Sequence, residues 1–199
     1  MPRTEKVNQQ IRDERREHIL MAAAKVFARN GYVGTRMDDI ASVAGVSKGL
    51  TYHYYRSKEA VFNELIENAT RGTARLYEYA VQQEGSALER LRWLVEQVLD
   101  GLADHAVTYM VVLQAFVSDA APDCSRSLVE SLATETTSIV TKLIAKGQAD
   151  GDIVEGSAEH LAFLFGSCVQ GLASSVTTTA STPSKEVANS LIQLFARKQ

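Results

Sequence analysis

The sequence predicts an all-α fold, with a short three-helix domain at the N-terminus and a longer helical domain after it. Its 199 residues include only 12 glycines and 3 prolines. Between them lie long stretches rich in Ala, Leu, Glu and Val, which favour helix over sheet. Apolar residues recur in these stretches at the spacing of one helix face. The composition, 45% hydrophobic and 23% charged, is typical of a soluble globular protein and not of a disordered chain.

The sequence does not favour a membrane or secreted protein. No window approaches the roughly 18 uninterrupted apolar residues of a membrane span, so we expect no membrane partner. The start of the chain, MPRTEKVNQQIRDERRE, is polar where a secretory signal is apolar. The two cysteines, Cys124 and Cys168, cannot form a disulfide framework. We therefore expect a cytoplasmic location.

Residues that typically end or cap helices predict the boundaries of the N-terminal helices. Residues 1–11 lack apolar periodicity, which predicts a flexible arm. A helix is expected over 12–29, where Asn30-Gly31 ends it. Thr35 is then expected to cap the second helix.

The second and third helices are predicted to be short. Asp38, three residues after Thr35, stands where a capping-box acid would lie. Gly45 breaks the second helix after about two turns. Ser47 is expected to cap the third helix, which runs to about Tyr55.

The later helices are predicted to be longer. Ser57 is expected to cap a fourth helix that continues to about Ala80, and Ser86 with Glu89 forms a capping box for a fifth. The remaining predicted elements are a helix over 104–118, a helix from Pro122 to Gly147, the loop GQADGDIVEG, a helix over 157–179, and a last helix that begins at Thr182-Pro183.

Charge is distributed unevenly along the chain. Residues 1–58 carry 11 Lys/Arg against 6 Asp/Glu, whereas residues 59–199 carry 10 against 18. A basic N-terminal part on an acidic body indicates that the N-terminal part meets a polyanion.

Three short helices with a tight break between the second and third describe a helix-turn-helix. The major groove of DNA, about 12 Å wide, admits one such helix. Thr51 and Tyr55, four residues apart, are expected to face inward. The outer face then carries Lys48 as a cation, Gly49 for close backbone approach, and Tyr52 and His53 as donors with flat apolar surface.

The run GYVGTRMDDIASVAGVSKGLTYHYYRSKEAVF, residues 31–62, resembles the DNA-binding region of the TetR family of bacterial transcriptional regulators. The shared features are the GY…T entry, IA…AGVSKG, the aromatic YHY trio, and SKE at the start of the fourth helix. The resemblance covers about residues 12–65. Thr51 and Tyr55 depart from the usual Leu or Ile and Phe of the family, which bears on packing and not on DNA contact.

The resemblance implies a set of DNA-binding residues. Thr35 and Arg36 would hold a phosphate at the second helix, and Lys58 would clamp the DNA backbone. Leu50 would either touch a thymine methyl or fill the core, and the sequence leaves both open. The implied set is Thr35, Arg36, Ser47, Lys48, Gly49, Leu50, Tyr52, His53, Tyr54 and Lys58.

The resemblance also implies a homodimer formed through the last two helices. One recognition helix contacts only a few base pairs, and two-fold dimers solve this by reading a palindromic operator. The same apolar residues would serve equally well as core within one subunit. The candidates are Leu161, Leu164, Phe165, Leu172, Leu191, Leu194 and Phe195.

A small-molecule effector is the third implied partner. In the family, the middle helices surround a pocket whose occupancy changes DNA binding, so we expect a repressor that a ligand releases. Each candidate has an ordinary core interpretation as an alternative. The candidates are Trp93, His105, Tyr109, Met110, Gln114, Phe116, Phe163 and Gln170.

Enzyme function is not indicated by the sequence. It contains no GxSxG, GxxxxGK, HExxH or CxxC motif, and its four histidines are not spaced as metal ligands. We therefore expect no enzyme activity, metal or cofactor. The expected organisation is an arm over 1–11, a DNA-binding domain over 12–58 continuing into the fourth helix to about 80, and a regulatory and dimerisation domain over 59–199. The rival hypothesis is a helical ligand-binding or protein-interaction module with a vestigial DNA-binding motif.

Overall fold

The all-α fold class is confirmed by a computed structural model, which describes residues 2–179 and 185–197. An isolated antiparallel bridge between Ile153 and Ala196 accompanies the helices. No helix within the described ranges is long and apolar enough to cross a membrane. The helices are α1 Pro2–Gly34, α2 Met37–Ala44, α3 Lys48–Tyr54, α4 Lys58–Gln82, α5 Ala87–Val117, α6 Asp123–Asp150, α7 Ala158–Thr179 and α8 Lys185–Gln193.

Helix α1 already begins at Pro2, within the segment that the sequence predicts to be an arm. Glu, Lys, Gln and Arg are good helix formers, and side chains four apart support this part of the helix. Gln9 Nε2 donates to Asp13 Oδ1 at 2.9 Å. The helical path breaks at Gly31, whose φ is +66°, as the Asn30-Gly31 pair predicted.

The start of α2 lies one residue later than predicted. Thr35 is buried, and its hydroxyl donates to the Gly31 carbonyl at 2.7 Å instead of capping α2. Arg36 occupies the N-cap position, and its backbone N–H donates to Asp39 Oδ2 at 3.0 Å. Asp39 is therefore the first-turn acid that reaches back to the cap, and the expectation for Asp38 is wrong.

The turn between α2 and α3 has the predicted chemistry. Gly45 adopts the left-handed conformation, φ +63°, and its N–H donates to the Ser42 carbonyl at 3.2 Å. Ser47 then caps α3, where its Oγ accepts from the Leu50 N–H at 3.2 Å.

The caps of α4 and α5 are also confirmed. Ser57 Oγ accepts from the Ala60 N–H at 3.1 Å. Ser86 and Glu89 form the reciprocal capping box, with N–H···O distances of 2.8 and 3.2 Å. The separate helix expected from Asp104 is instead the second half of α5, because the chain only kinks, at His105 (φ −118°, ψ 16°).

The loop predicted from Gly147 begins later than expected. Helix α6 continues to Asp150, and the first glycine of the predicted loop with a positive φ is Gly151, at +84°. Gly147 is required for close packing, since a Cβ there would lie 2.5 Å from Cδ1 of Ile153. The predicted start of the last helix at Thr182-Pro183 lies outside the described residues.

The chain divides into two compact units, and the division differs from the expected boundary at 58. The N-terminal unit is Met1–Ala69 together with Val107–Val129. The C-terminal unit is Thr70–Ala106 together with Glu130–Gln199.

The core of the N-terminal unit draws on more than the helix-turn-helix. Phe27 packs edge-on against Phe62, with ring centroids 4.9 Å apart. Val111 and Ala115 of α5 and Val129 of α6 belong to the same buried cluster. The second half of α5 and the start of α6 therefore help to hold the helix-turn-helix in place.

An ion pair joins α1 to α4 in the N-terminal unit. Arg16 of α1 donates from Nε to Glu64 Oε1 at 2.8 Å and makes a second, shorter contact to Oε2. The Tyr55 hydroxyl, at the end of α3, also donates to Glu64 Oε1, at 3.2 Å. Burial and the neighbouring Glu64 carboxylate raise the pKa of Tyr55, so its hydroxyl stays a donor.

Lys58 connects the start of α4 to the end of α1. Its Nζ donates to the backbone carbonyls of Tyr32, Val33 and Thr35 at 2.8, 3.1 and 3.1 Å. The ammonium also lies 4.7 Å from the ring centroid of Tyr32. A cation that caps a helix C-terminus is stabilising, so Lys58 has a structural role that the sequence did not indicate.

The C-terminal unit has its own core. Phe165 of α7 and Phe195 pack edge-on at 5.6 Å, and both are buried. Backbone hydrogen bonds connect the loop after α6 to the chain beyond α8: the Val154 N–H donates to the Phe195 carbonyl at 3.0 Å.

We expect Glu64→Ala to lower the free energy of unfolding by about 1–2 kcal/mol, because it removes charge-assisted hydrogen bonds from Arg16 and Tyr55. Urea unfolding followed by circular dichroism measures this. Glu14→Ala, on the exposed part of α1, is the matched control. Equal stability of the Glu64 variant and the wild type would contradict the structural role of this cluster.

We expect Lys58→Ala to lower the free energy of unfolding by about 1–2 kcal/mol, since three carbonyls lose their donor. Arg56→Ala removes the same charge from an exposed neighbouring position and should leave the urea midpoint unchanged. If the Lys58 variant instead weakens DNA binding at wild-type stability, the phosphate clamp expected from the sequence is the better interpretation.

Candidate nucleic-acid interface

Helix α3 has one buried side and one exposed side. Thr51 and Tyr55 are buried against the core of the N-terminal unit, which confirms that they face inward. The Tyr55 N–H donates to the Thr51 carbonyl at 2.9 Å and ends the helix. Because the inner side is fixed in this way, the opposite side of α3 is held toward solvent.

The exposed side carries most of the residues that the sequence singled out. Tyr52 is 44% exposed, and the Lys48 ammonium lies 6.0 Å from its ring centroid. His53 is exposed, and its ring packs edge-on against that of Tyr54 at 5.3 Å. The exposed members of the predicted set are Arg36, Ser47, Lys48, Gly49, Tyr52 and His53.

Four predicted residues lie elsewhere. Thr35 is 1% exposed and donates to a backbone carbonyl, so its hydroxyl is not presented to a phosphate. Tyr54 is half-buried and packs against the core. Leu50 is half-buried and lies outside that core cluster, so neither of its two interpretations is excluded.

Lys58 is the fourth of these residues. Its ammonium has three N–H donors, and the carbonyls of α1 and the following turn accept three hydrogen bonds from it. In the structure the Lys58 ammonium is thus engaged within the protein, and its contact with DNA stays a prediction.

An acidic residue that sequence reasoning missed lies on this surface. Lys48 Nζ contacts both oxygens of the Asp38 carboxylate, at 2.8 Å from Oδ1 and 2.9 Å from Oδ2. This hydrogen bond raises the pKa of Lys48, which stays charged. The two residues are ten positions apart on different helices, so no local sequence pattern signals the pair.

The exposed side of α3 offers what recognition of duplex DNA requires. Lys48 and Arg36 supply cations, Ser47, Tyr52 and His53 supply hydrogen-bond donors, and aromatic rings supply apolar contact. Among the described residues, no group of three His, Cys, Asp or Glu side chains could hold a metal ion.

Four of the predicted pocket residues belong to the N-terminal unit. Tyr109 and Met110 are half-buried, whereas Phe116 is 47% exposed. Gln114 Nε2 donates to the Ala28 carbonyl at 3.2 Å. Its Oε1 is buried without a hydrogen-bond partner in the part of the chain that the structure describes.

The other four belong to the C-terminal unit. Trp93 is half-buried, and His105, Phe163 and Gln170 are exposed. A groove of about 460 Å³ in this unit is lined by none of the eight candidates. Its lining residues are Glu78, Val81, Gln82, Arg90, Ile139, Lys142, Leu143 and Lys146. Tyr77, which precedes Glu78 in the sequence, was not predicted as a site residue, and burial raises its pKa to about 12.

The predicted dimer residues separate into two groups. Phe165, Leu191 and Phe195 are buried within the C-terminal unit, as the core interpretation expects. Leu164 and Leu194 are exposed, and Leu161 and Leu172 are half-buried. Phe163, predicted for the ligand pocket, is 69% exposed beside Leu164. It belongs with the exposed apolar residues and not with the core.

The chain is similar to known proteins in sequence and in fold. Residues 19–65 match the family model described as "Bacterial regulatory proteins, tetR family". The chain is 31% identical over 107 residues to the transcriptional activator FasR of Mycolicibacterium smegmatis, which covers 54% of this chain and 49% of FasR. It is 27% identical over 137 residues to the transcriptional repressor KstR2 of the same species, covering 69% of this chain and 66% of KstR2.

These two alignments span about half of the one relative and about two thirds of the other. The fold similarity extends further. A protein from Saccharomonospora viridis, solved in complex with choline, superposes with a TM-score of 0.75 at 23% identity, covering 94% of this chain and 100% of that one.

The similar proteins are transcriptional regulators and not enzymes. The matched segment contains the three-helix arrangement whose exposed face has been described, and the resemblance noted in the sequence is confirmed. Residues 19–65 therefore carry the N-terminal DNA-binding segment shared by bacterial regulatory proteins of the tetR family.

Proposed function

We propose that this protein is a homodimeric repressor that binds a palindromic operator through α3 and releases it when a small molecule binds. The observation that carries the proposal is the two-sided character of α3. Its inner side is fixed by buried Thr51 and Tyr55, and its outer side presents Lys48, Tyr52 and His53. A fixed helix with an exposed polar and aromatic face suits the major groove.

Dimerisation is supported by apolar side chains that the C-terminal unit leaves exposed. Phe163, Leu164 and Leu194 are 69%, 52% and 70% exposed. Gly166 and Gly171 of the same helix have open space where a Cβ would lie, which permits close approach of a second helix. Large exposed apolar side chains mark protein interfaces when they form one patch, and a two-fold dimer would present two copies of α3 to two half-sites.

Repression and release by a ligand rest on similar proteins. KstR2 is a repressor, whereas FasR is an activator, so the sign of regulation requires a direct test. The Saccharomonospora viridis protein was solved in complex with choline. For this chain we propose an effector that binds the DNA-incompetent conformation better, which shifts the population away from the operator-bound state.

Selection of duplexes from a randomised pool tests the DNA-binding function. We expect the wild type to enrich an inverted repeat, and Tyr52→Ala to weaken binding to it by about 1–3 kcal/mol, since a base-reading side chain is lost. Tyr79→Ala, at an exposed tyrosine of the C-terminal unit, is the control and should bind as the wild type does. A folded wild type that enriches nothing, and whose affinity does not depend on salt, would favour the vestigial-motif hypothesis.

Phe163→Asp tests the dimer. We expect this variant to sediment as a monomer and to lose operator affinity, because a charge replaces an apolar side chain at the proposed interface. Tyr79→Asp places the same charge at another exposed aromatic position of the unit and should stay dimeric. Analytical ultracentrifugation reads the mass directly. A Phe163→Asp variant that remains dimeric would contradict this interface.

A further inference from the structure

Asp38 places a carboxylate on the surface that is proposed to face DNA. It lies in the first turn of α2 and contacts Lys48, the first residue of α3, through both of its oxygens at 2.8 and 2.9 Å. The Asp38 and Lys48 side chains are 58% and 61% exposed. The pair is therefore open to solvent and to any ligand that approaches α3.

Asp38 does not cap α2, so capping does not explain its position. The neighbouring Asp39 accepts the hydrogen bond from the Arg36 N–H and completes the start of α2. An exposed ion pair contributes little to folding, and an acidic side chain in the first turn of a helix adds only a modest stabilisation. Its direct contact with Lys48 gives it a second effect, on Lys48 and on an approaching polyanion.

The carboxylate opposes DNA binding in two ways. It repels phosphate groups directly, and it neutralises the Lys48 ammonium, whose positive charge would otherwise attract them. Both effects apply to every duplex sequence. Base contacts made by Tyr52 and His53, in contrast, depend on sequence.

We propose that Asp38 is a specificity-determining residue that withholds Lys48 from the phosphates of random DNA. In a loosely docked complex on random sequence the pair stays closed. In the operator complex, base contacts hold α3 deep in the groove, and Lys48 exchanges Asp38 for an acceptor on the DNA. Asp38 thus lowers non-specific affinity more than operator affinity, which raises the ratio between them. This inference rests on the proposed function of α3.

The test compares Asp38→Asn with the wild type on a random duplex and on the selected operator, over a series of salt concentrations. We expect random-duplex affinity to rise about three- to tenfold. The slope of log K against log salt should become steeper by about 0.9 for each subunit, because one more phosphate is neutralised. Operator affinity should rise less, so the specificity ratio falls. Glu135→Gln removes the same charge from an exposed site on α6 and should change neither slope nor ratio.

A double-mutant cycle with Lys48→Gln shows whether Asp38 acts through Lys48. If it does, the gain from Asp38→Asn should be clearly smaller in the Lys48→Gln background, where only direct repulsion remains to be removed. If the full gain persists there, the carboxylate acts by direct repulsion alone and the proposed role of the pair is wrong. Unchanged affinity and slope in the single Asp38→Asn variant would overturn the proposal altogether.

These outcomes separate the inference from the function on which it rests. A wild type that enriches an operator while Asp38→Asn behaves identically retains the proposed function and rejects the inference. A wild type with no sequence preference and a flat salt slope rejects both. Circular dichroism of the exposed-site variants is expected to match the wild type, because both partners of the pair are more than half exposed.

Discussion

The structure of the DNA-binding surface depends on the burial of one side of α3. This helix has seven residues, far fewer than the roughly 12–15 that make an isolated helix even marginally stable in water. Its position therefore has to come from packing, through Thr51 and Tyr55. The core that receives them includes residues of α4, α5 and α6. A change in those later helices thus has a physical route to α3 that lies entirely within the N-terminal unit.

The helix caps could be predicted from the sequence where both partners of the capping hydrogen bond are close together in the chain. The caps at Ser47, Ser57 and Ser86 each involve a residue three positions away, and the pattern of residue types signals them directly. The cap of α2 moved from Thr35 to Arg36 because the Thr35 hydroxyl bonds backward to Gly31. In the sequence, a threonine that caps the following helix looks the same as one whose hydroxyl donates to a preceding carbonyl.

Contacts between distant parts of the chain could not be predicted from the sequence. Lys48 and Lys58 both follow a capping serine and both begin a helix, yet one pairs with Asp38 on the surface and the other caps α1. Phe163 and Phe165, two residues apart, likewise differ: one is exposed and the other is buried. Helical spacing puts them on different faces, but it does not say which face meets the core.

The charge count of the N-terminal part overstates what it offers to DNA. Eleven Lys and Arg residues lie within 1–58, but Arg16 is paired with Glu64 and Lys58 with backbone carbonyls, while Lys48 contacts Asp38. Cations that are already engaged contribute less to non-specific attraction than exposed ones. Recognition then depends more on the few donors and rings that α3 presents, such as Tyr52 and His53. Phosphate contacts hold a protein on any DNA duplex, and only base contacts distinguish one sequence from another. A surface with few free cations and a rigid recognition helix therefore favours selectivity among sequences over affinity for every duplex.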